Sequence, residues 1–95
     1  MATNVGLVHL RLNVAQATSL KDKRRIVKGF KDRIRHKHNV SISEVGDLDS
    51  HRSSVLAVVM ASNDRRYAES VLQKIINSAA SHRDMILVDH DIEWL

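Results

Sequence analysis

Nine lysines and arginines fall between Ser19 and Asn39, against only two acids, Asp22 and Asp32. The local excess is +7, whereas the other positions together carry −3. Segregation of this kind creates a local field that recruits anions. At about 100° per helical residue, Lys21, Arg24, Arg25, Lys28, Lys31 and Arg35 form one stripe, spread over roughly 20° to 140° from Leu20. Cations on one flank of a helix can follow a run of phosphates, with counterion release driving the binding. These six are the candidate nucleic-acid-binding residues. Arg65 and Arg66 open a second helical segment and read as its solvated first turn.

Other chemistry is poorly served. His36 and His38 are two apart on a helix, so they diverge by about 200° and do not share a metal. His9, His82 and His90 have no ligand-type neighbours at helical spacing, and strand alternation turns His90 away from Asp89 and Asp91. Asp47, Asp49 and His51 have a spacing that can hold a cation, but acids are the ordinary residues of turns. No helical H-E-x-x-H, no G-x-S-x-G and no phosphate-loop glycine pattern is present. The sequence therefore predicts no catalytic residue, no metal site and no cofactor, and a protein that is not an enzyme. Base stacking is also disfavoured, because the three aromatics are Phe30, Tyr67 and Trp94 and none lies on the first or third strand.

The elements that position the basic stripe follow from hydrophobic period. Val8, Leu10, Leu12 and Val14 alternate with polar residues, which predicts a strand over Val5–Val14. Ser19 is placed to cap a helix running to about His38, with Asp22 three residues on suiting its positive end. Leu20, Ile26, Val27, Phe30 and Ile34 form its core face. Asn39 ends it, and Val40 and Ile42 begin a half-buried second strand. Gly46–Ser50 has turn composition. Ser53–Ala61 predicts a third strand, apolar on both faces and so central in a sheet. Ser62-Asn63-Asp64 caps a second helix with an apolar stripe from Tyr67 to Ala79. Met85–Trp94 predicts a fourth strand, with Ile86, Val88, Ile92 and Trp94 on one parity and Asp89, Asp91 and Glu93 on the other.

This βαββαβ order, with short connections and right-handed crossovers, predicts an α+β, ferredoxin-like sandwich. The antiparallel sheet has the order 4-1-3-2 and both helices on one face. Ninety-five residues without proline, linker or low-complexity tract predict a single domain over 1–95. No cysteine is present, so disulfides and thiolate chemistry are excluded. No apolar run approaches the ~20 residues of a membrane span, and the N-terminus lacks a signal-peptide pattern, so a cytoplasmic protein is expected. One apolar row of the third strand must lie on the side without helices, joined by Val5 and Leu7. An exposed apolar strip predicts a partner surface, and a homodimer is the simplest use of it.

Three stretches carry a resemblance: Ser19-Leu20-Lys21-Asp22-Lys23-Arg24-Arg25, Asn39-Val40-Ser41-Ile42-Ser43-Glu44-Val45-Gly46-Asp47, and Asn63-Asp64-Arg65-Arg66-Tyr67. In this order they resemble the YlxP-like family, small bacterial domains of unknown function, across nearly the whole chain. The resemblance implies a ferredoxin-like fold and a bacterial cytosolic protein. It also implies a link to RNA or the ribosome, because members are commonly encoded near translation-initiation and ribosome-maturation factors. It transfers no catalytic residue. The expected function is non-catalytic binding of RNA or the ribosome through the basic helix. The alternative is a structural or protein-interaction module, dimeric, docking on an acidic protein surface.

Overall fold

The computed structural model describes residues 1–95. Its elements run β1 (Asn4–Asn13), α1 (Leu20–Lys37), β2 (Ser41–Gly46), β3 (Ser53–Ser62), α2 (Arg65–Ala80) and β4 (Ile86–Trp94). The sheet has the order β2-β3-β1-β4, with every neighbouring pair antiparallel. This is the predicted βαββαβ arrangement, with the doubly apolar β3 inside and β2 and β4 at the edges. Element ends move by one or two residues. Gly46, expected in the turn, closes β2, and Val40, expected in that strand, precedes it.

Alternation in the two central strands decides which side packs. Val8, Leu10 and Leu12 of β1 and Leu56, Val58 and Met60 of β3 are buried. They meet Ile26, Val27, Phe30 and Ile34 of α1 and Val71, Leu72, Ile75 and Ile76 of α2 in one core. The opposite row of β3, Val55, Ala57 and Val59, lies on the face without helices. Val5 and Leu7 stand beside it, opposite Ala61 and Val59 in the register. The expected apolar strip is there, half-buried except for Val59, which is 37% exposed.

The fourth strand departs from simple alternation. Arg11 pairs with Asp89 but Leu12 pairs with Leu87, so Val88 is an extra residue. Such a bulge reverses which parity faces the core. Leu87 therefore packs against the core, while Ile86 and Val88 are 63% and 65% exposed. The expected single apolar row from Ile86 to Trp94 is broken at that point. A second irregularity lies in β2, between Glu44 and Gly46. Asp47 follows it with φ 57°, in the left-handed region, a conformation that Asp tolerates better than most residues.

Candidate nucleic-acid interface

Both ends of α1 are built as the sequence suggests. Ser19 is extended, and its Oγ accepts the Asp22 amide at 3.0 Å. Asp22 returns a bond, its Oδ2 accepting the Thr18 amide at 3.2 Å. The first turn thus satisfies amides that a helix leaves free. The other end carries Arg35, His36 and Lys37, and the His38 amide donates to the Ile34 carbonyl at 2.9 Å. Eighteen residues give a rod about 27 Å long, long enough to meet several phosphates.

The predicted stripe is on the surface. Lys21, Arg24, Arg25, Lys28 and Arg35 are exposed and Lys31 is half-buried. Arg35 also reaches the sheet edge, its Nη2 donating to the Ile42 carbonyl at 2.8 Å. This flank therefore overhangs β2. The stripe is less free than its sequence suggests. Arg25 pairs with Asp22 at 2.7 Å, Lys28 with Asp32 at 2.6 Å, and Arg35 with Asp32 at 3.2 Å. Lys21, Arg24 and Lys31 have no carboxylate partner. Hydrogen bonding to Arg25, then to the Thr18 amide, holds the Asp22 carboxyl below its ordinary range. Hydrogen bonding to Lys28 does the same for Asp32. These pairs are exposed and weak, so a phosphate can replace the carboxylate as partner.

Lys23, on the same helix, is fully buried. Its ammonium donates to Glu44 Oε2 at 2.7 Å, the Asp47 carbonyl at 3.0 Å and the Ser53 carbonyl at 3.2 Å. It ties α1 to the β2–β3 hairpin and takes no part in the surface. Its place at about 300° from Leu20, between Phe30 and Ile34 on the apolar side, is the one sequence signal of that role.

The opposite flank of α1, which carries Arg33 and Lys37, faces α2 across an open cleft. Arg33 and Lys37 line it from α1, and Lys74, His82 and Arg83 from α2 and the loop after it. None of these five belongs to the predicted stripe. Their signal was the four-residue step from Arg25 through Gly29 to Arg33 and Lys37, which keeps one line along a helix. Desolvation first, then Lys37 and Lys74, pushes the His38 imidazole down. Desolvation, then Arg33, does the same for His82, where Asp84 pulls the other way and Arg83 adds to the lowering.

The other sequence candidates separate. Asp47, Asp49 and His51 do not converge as ligands. A different set does: His9, Asp91 and Glu93 bring ligand atoms within 4.8 Å of one another on the open sheet face. His9 Nδ1 lies 3.3 Å from Asp91 Oδ1, because the two residues are directly opposed in the β1–β4 register. Arg65 lies over the Trp94 ring at 4.5 Å and pairs with Glu69 at 3.2 Å. Arg65 is thus fixed against the end of β4, and Arg66 stays exposed beside it. Phe30 is buried and contacts His82 edge-on, and Tyr67 is exposed on α2. No phenylalanine, tyrosine or tryptophan occupies the open sheet face at β1 or β3. No helix is long and apolar enough to cross a membrane.

The de novo designed protein Foldit4 shares this architecture, with a TM-score of 0.56 over 98% of this chain and 96% of its own. At 13% identity that similarity concerns the fold alone. A relative in sequence is "Uncharacterized protein YlxP" of Bacillus subtilis (strain 168), 32% identical over 90 residues, which are 95% of this chain and 98% of the relative. Residues 5–92 match the family model described as "Protein of unknown function (DUF503)". With the match covering both helices and most of every strand, the chain belongs to the DUF503 family.

Proposed function

We propose that this protein is a non-catalytic, cytoplasmic binding protein for RNA or the ribosome, and that α1 engages the phosphate backbone. The observation that carries the reading is the exposure of five stripe cations, Lys21, Arg24, Arg25, Lys28 and Arg35, along one helix. Only Asp22 and Asp32 oppose them. Recognition is directed at the backbone and weakly specific for sequence, because β1 and β3 carry no phenylalanine, tyrosine or tryptophan on the open face.

Titration of structured and single-stranded RNA at two salt concentrations tests the reading. Affinity falls with salt, with a log–log slope of about −0.7 for each single-strand phosphate contacted. Salt-independent binding, or none at low salt, rejects it. Arg24→Glu with Lys28→Glu weakens binding and leaves the fold intact, since both side chains are exposed. A partner retained in pull-downs from nuclease-treated lysate, with no RNA affinity, favours an acidic protein surface instead.

We propose further that two copies associate through the open sheet face. The half-buried strip of Val5, Leu7, Val55 and Ala57, with the exposed Val59, supports this. A contact of about 600–800 Å² per copy suffices for a specific dimer. Asp89, Asp91 and Glu93 flank the strip on β4, opposite Arg11, His9 and Leu7 on the same open face, and two such rows brought together repel. That disfavours β4 edge pairing and requires a sheet-face contact to centre on β3, with the two β4 rows apart. A dimer carries two copies of α1, and linked sites strengthen attachment to a long polyanion when both can engage.

A further inference from the structure

The exposed stripe is not the most enclosed cationic surface of the molecule. Three adjoining hollows of about 650, 600 and 210 Å³ lie between α1 and α2 with the loop that follows it, the smallest bounded by α1 and that loop alone. The largest has no hydrophobic residue in its lining and takes Arg33 and Lys37 from α1 and Arg83 from the loop after α2. The second shares Lys37 and adds Lys74, and the third shares Arg33 and adds Arg25. Shared walls make them one cleft. Arg25, Arg33 and Lys37 follow one line along α1, the last two about 6 Å apart along the axis. Asp84 is the only carboxylate in the lining, and it lies 3.7 Å from Arg83.

Gly29 interrupts the α1 wall between Arg25 and Arg33. Glycine is disfavoured in a helix interior relative to alanine. Packing does not require it, because a Cβ built there meets no atom within 4 Å. What its absence provides is bare helix surface on a cationic wall, open to close approach by another chain.

We infer that this cleft seats the sugar–phosphate backbone of single-stranded RNA, with phosphates against Arg25, Arg33, Lys37 and Lys74 and the chain passing over Gly29. The inference rests on the nucleic-acid reading above and moves its centre from the β2 flank of α1 to the α2 flank. Two histidines report on the same field. His38 and His82 border the cleft, and desolvation first, then its cations, pushes both imidazoles below their ordinary range. The Asp84 amide donates to His82 Nδ1 at 3.0 Å, which places the proton of the neutral ring on Nε2. A neutral His82 can therefore donate to an anion without adding charge.

The test uses isotope-labelled full chain with two probes, a single-stranded uridine decamer and inorganic pyrophosphate. The decamer is expected to shift the Gly29 amide and the His38 and His82 ring signals, and to move both histidine titrations to higher pH. Arg33→Glu with Lys37→Glu lowers decamer affinity at least tenfold, more than Arg24→Glu with Lys31→Glu. Gly29→Leu, which fills open space on a helix, also lowers it about tenfold while thermal unfolding stays cooperative. Decamer binding with Gly29 and both histidines unmoved, and with the Gly29→Leu variant binding normally, overturns the cleft and leaves RNA binding by the stripe. Pyrophosphate shifting these signals while the decamer binds nowhere overturns both readings in favour of a small-anion pocket. Silence with both probes also overturns both.

Discussion

Lys23 Nζ lies 2.7 Å from Glu44 Oε2, with the lysine side chain fully buried and the glutamate 13% exposed. The ammonium's other two protons go to the Asp47 and Ser53 carbonyls, and Ser54 Oγ donates to the same Glu44 oxygen at 2.7 Å. One side chain thus fixes the start of α1 against the β2–β3 connection. A buried charge pair costs desolvation on both sides, so its effect shows most when one partner is removed.

Lys23→Met leaves the Glu44 carboxylate without its cation in a largely dry site. The expected loss is about 3–5 kcal/mol by urea unfolding. Lys23→Met with Glu44→Leu removes both charges and recovers most of it. If the double variant is as unstable as the single one, the loss comes from packing and the two carbonyls left without a donor, not from an unpaired charge.

Two glycines respond in opposite directions to alanine. At Gly6 a Cβ would stand 2.7 Å from Leu72 Cδ1 and 3.0 Å from the Trp94 ring. β1 passes close beneath α2 there, so Gly6→Ala costs about 1–3 kcal/mol through overpacking. It also shifts Trp94 fluorescence. At Gly29 the added methyl meets nothing, so Gly29→Ala raises stability by about 0.5–1 kcal/mol. Chemical denaturation of both variants in one series checks the pair, and equal signs contradict it.

Stability depends on pH through His38 and His82. Both folded-state values lie below the ordinary 6.5, so the unfolded chain binds more protons in the window just beneath that value. Their contribution is fully present above about 6.5 and is lost as pH falls through the folded values. Asp22 and Asp32 act in the same direction at lower pH: their contribution is present above the ordinary 3.8 and is lost as pH falls through their depressed values. Urea midpoints at pH 7.5 and 5.5 are expected to differ, and His38→Gln with His82→Gln narrows the difference. An unchanged gap assigns it to other groups.

Val59 is the most exposed member of the apolar strip on β3, at 37%. Sedimentation at micromolar concentration is expected to show a dimer for the wild type and a 10.8 kDa monomer for Val59→Asp. A monomeric wild type that the substitution leaves unaltered means the strip has no partner copy.

Periodicity and end chemistry are local properties, and they were legible without coordinates. A residue's face follows from the repeat of its own element, so alternation in β1 and β3 and the apolar stripes of both helices could be read directly. Ser19 could be read as a cap, and the second cap placed within Ser62-Asn63-Asp64, because a cap bonds amides two or three positions away. The central place of β3 followed from its two apolar faces, and the sheet order from short connections and right-handed crossovers. The exposed cations of α1 were visible for the same reason.

Relations between elements required the tertiary structure. A single extra residue at Val88 turned Ile86 outward and Leu87 inward, which no alternation within β4 reveals. Lys23 became a buried tie because Glu44 and two carbonyls of the β2–β3 hairpin met it. Arg25, Lys28 and Arg35 found Asp22 and Asp32, which divided the stripe into paired and free charges. His9 met Asp91 across 82 positions of sequence, through strand register. The cleft exists only because α1 and α2 lie on one face of the sheet, with Arg33 and Lys37 of α1 toward Lys74 of α2 and Arg83 of the loop after it. Local backbone geometry decides which way a side chain leaves its own element. What it meets there depends on long-range packing, so composition and spacing could not assign Arg33, Lys37 and Lys74 to one wall-lined space.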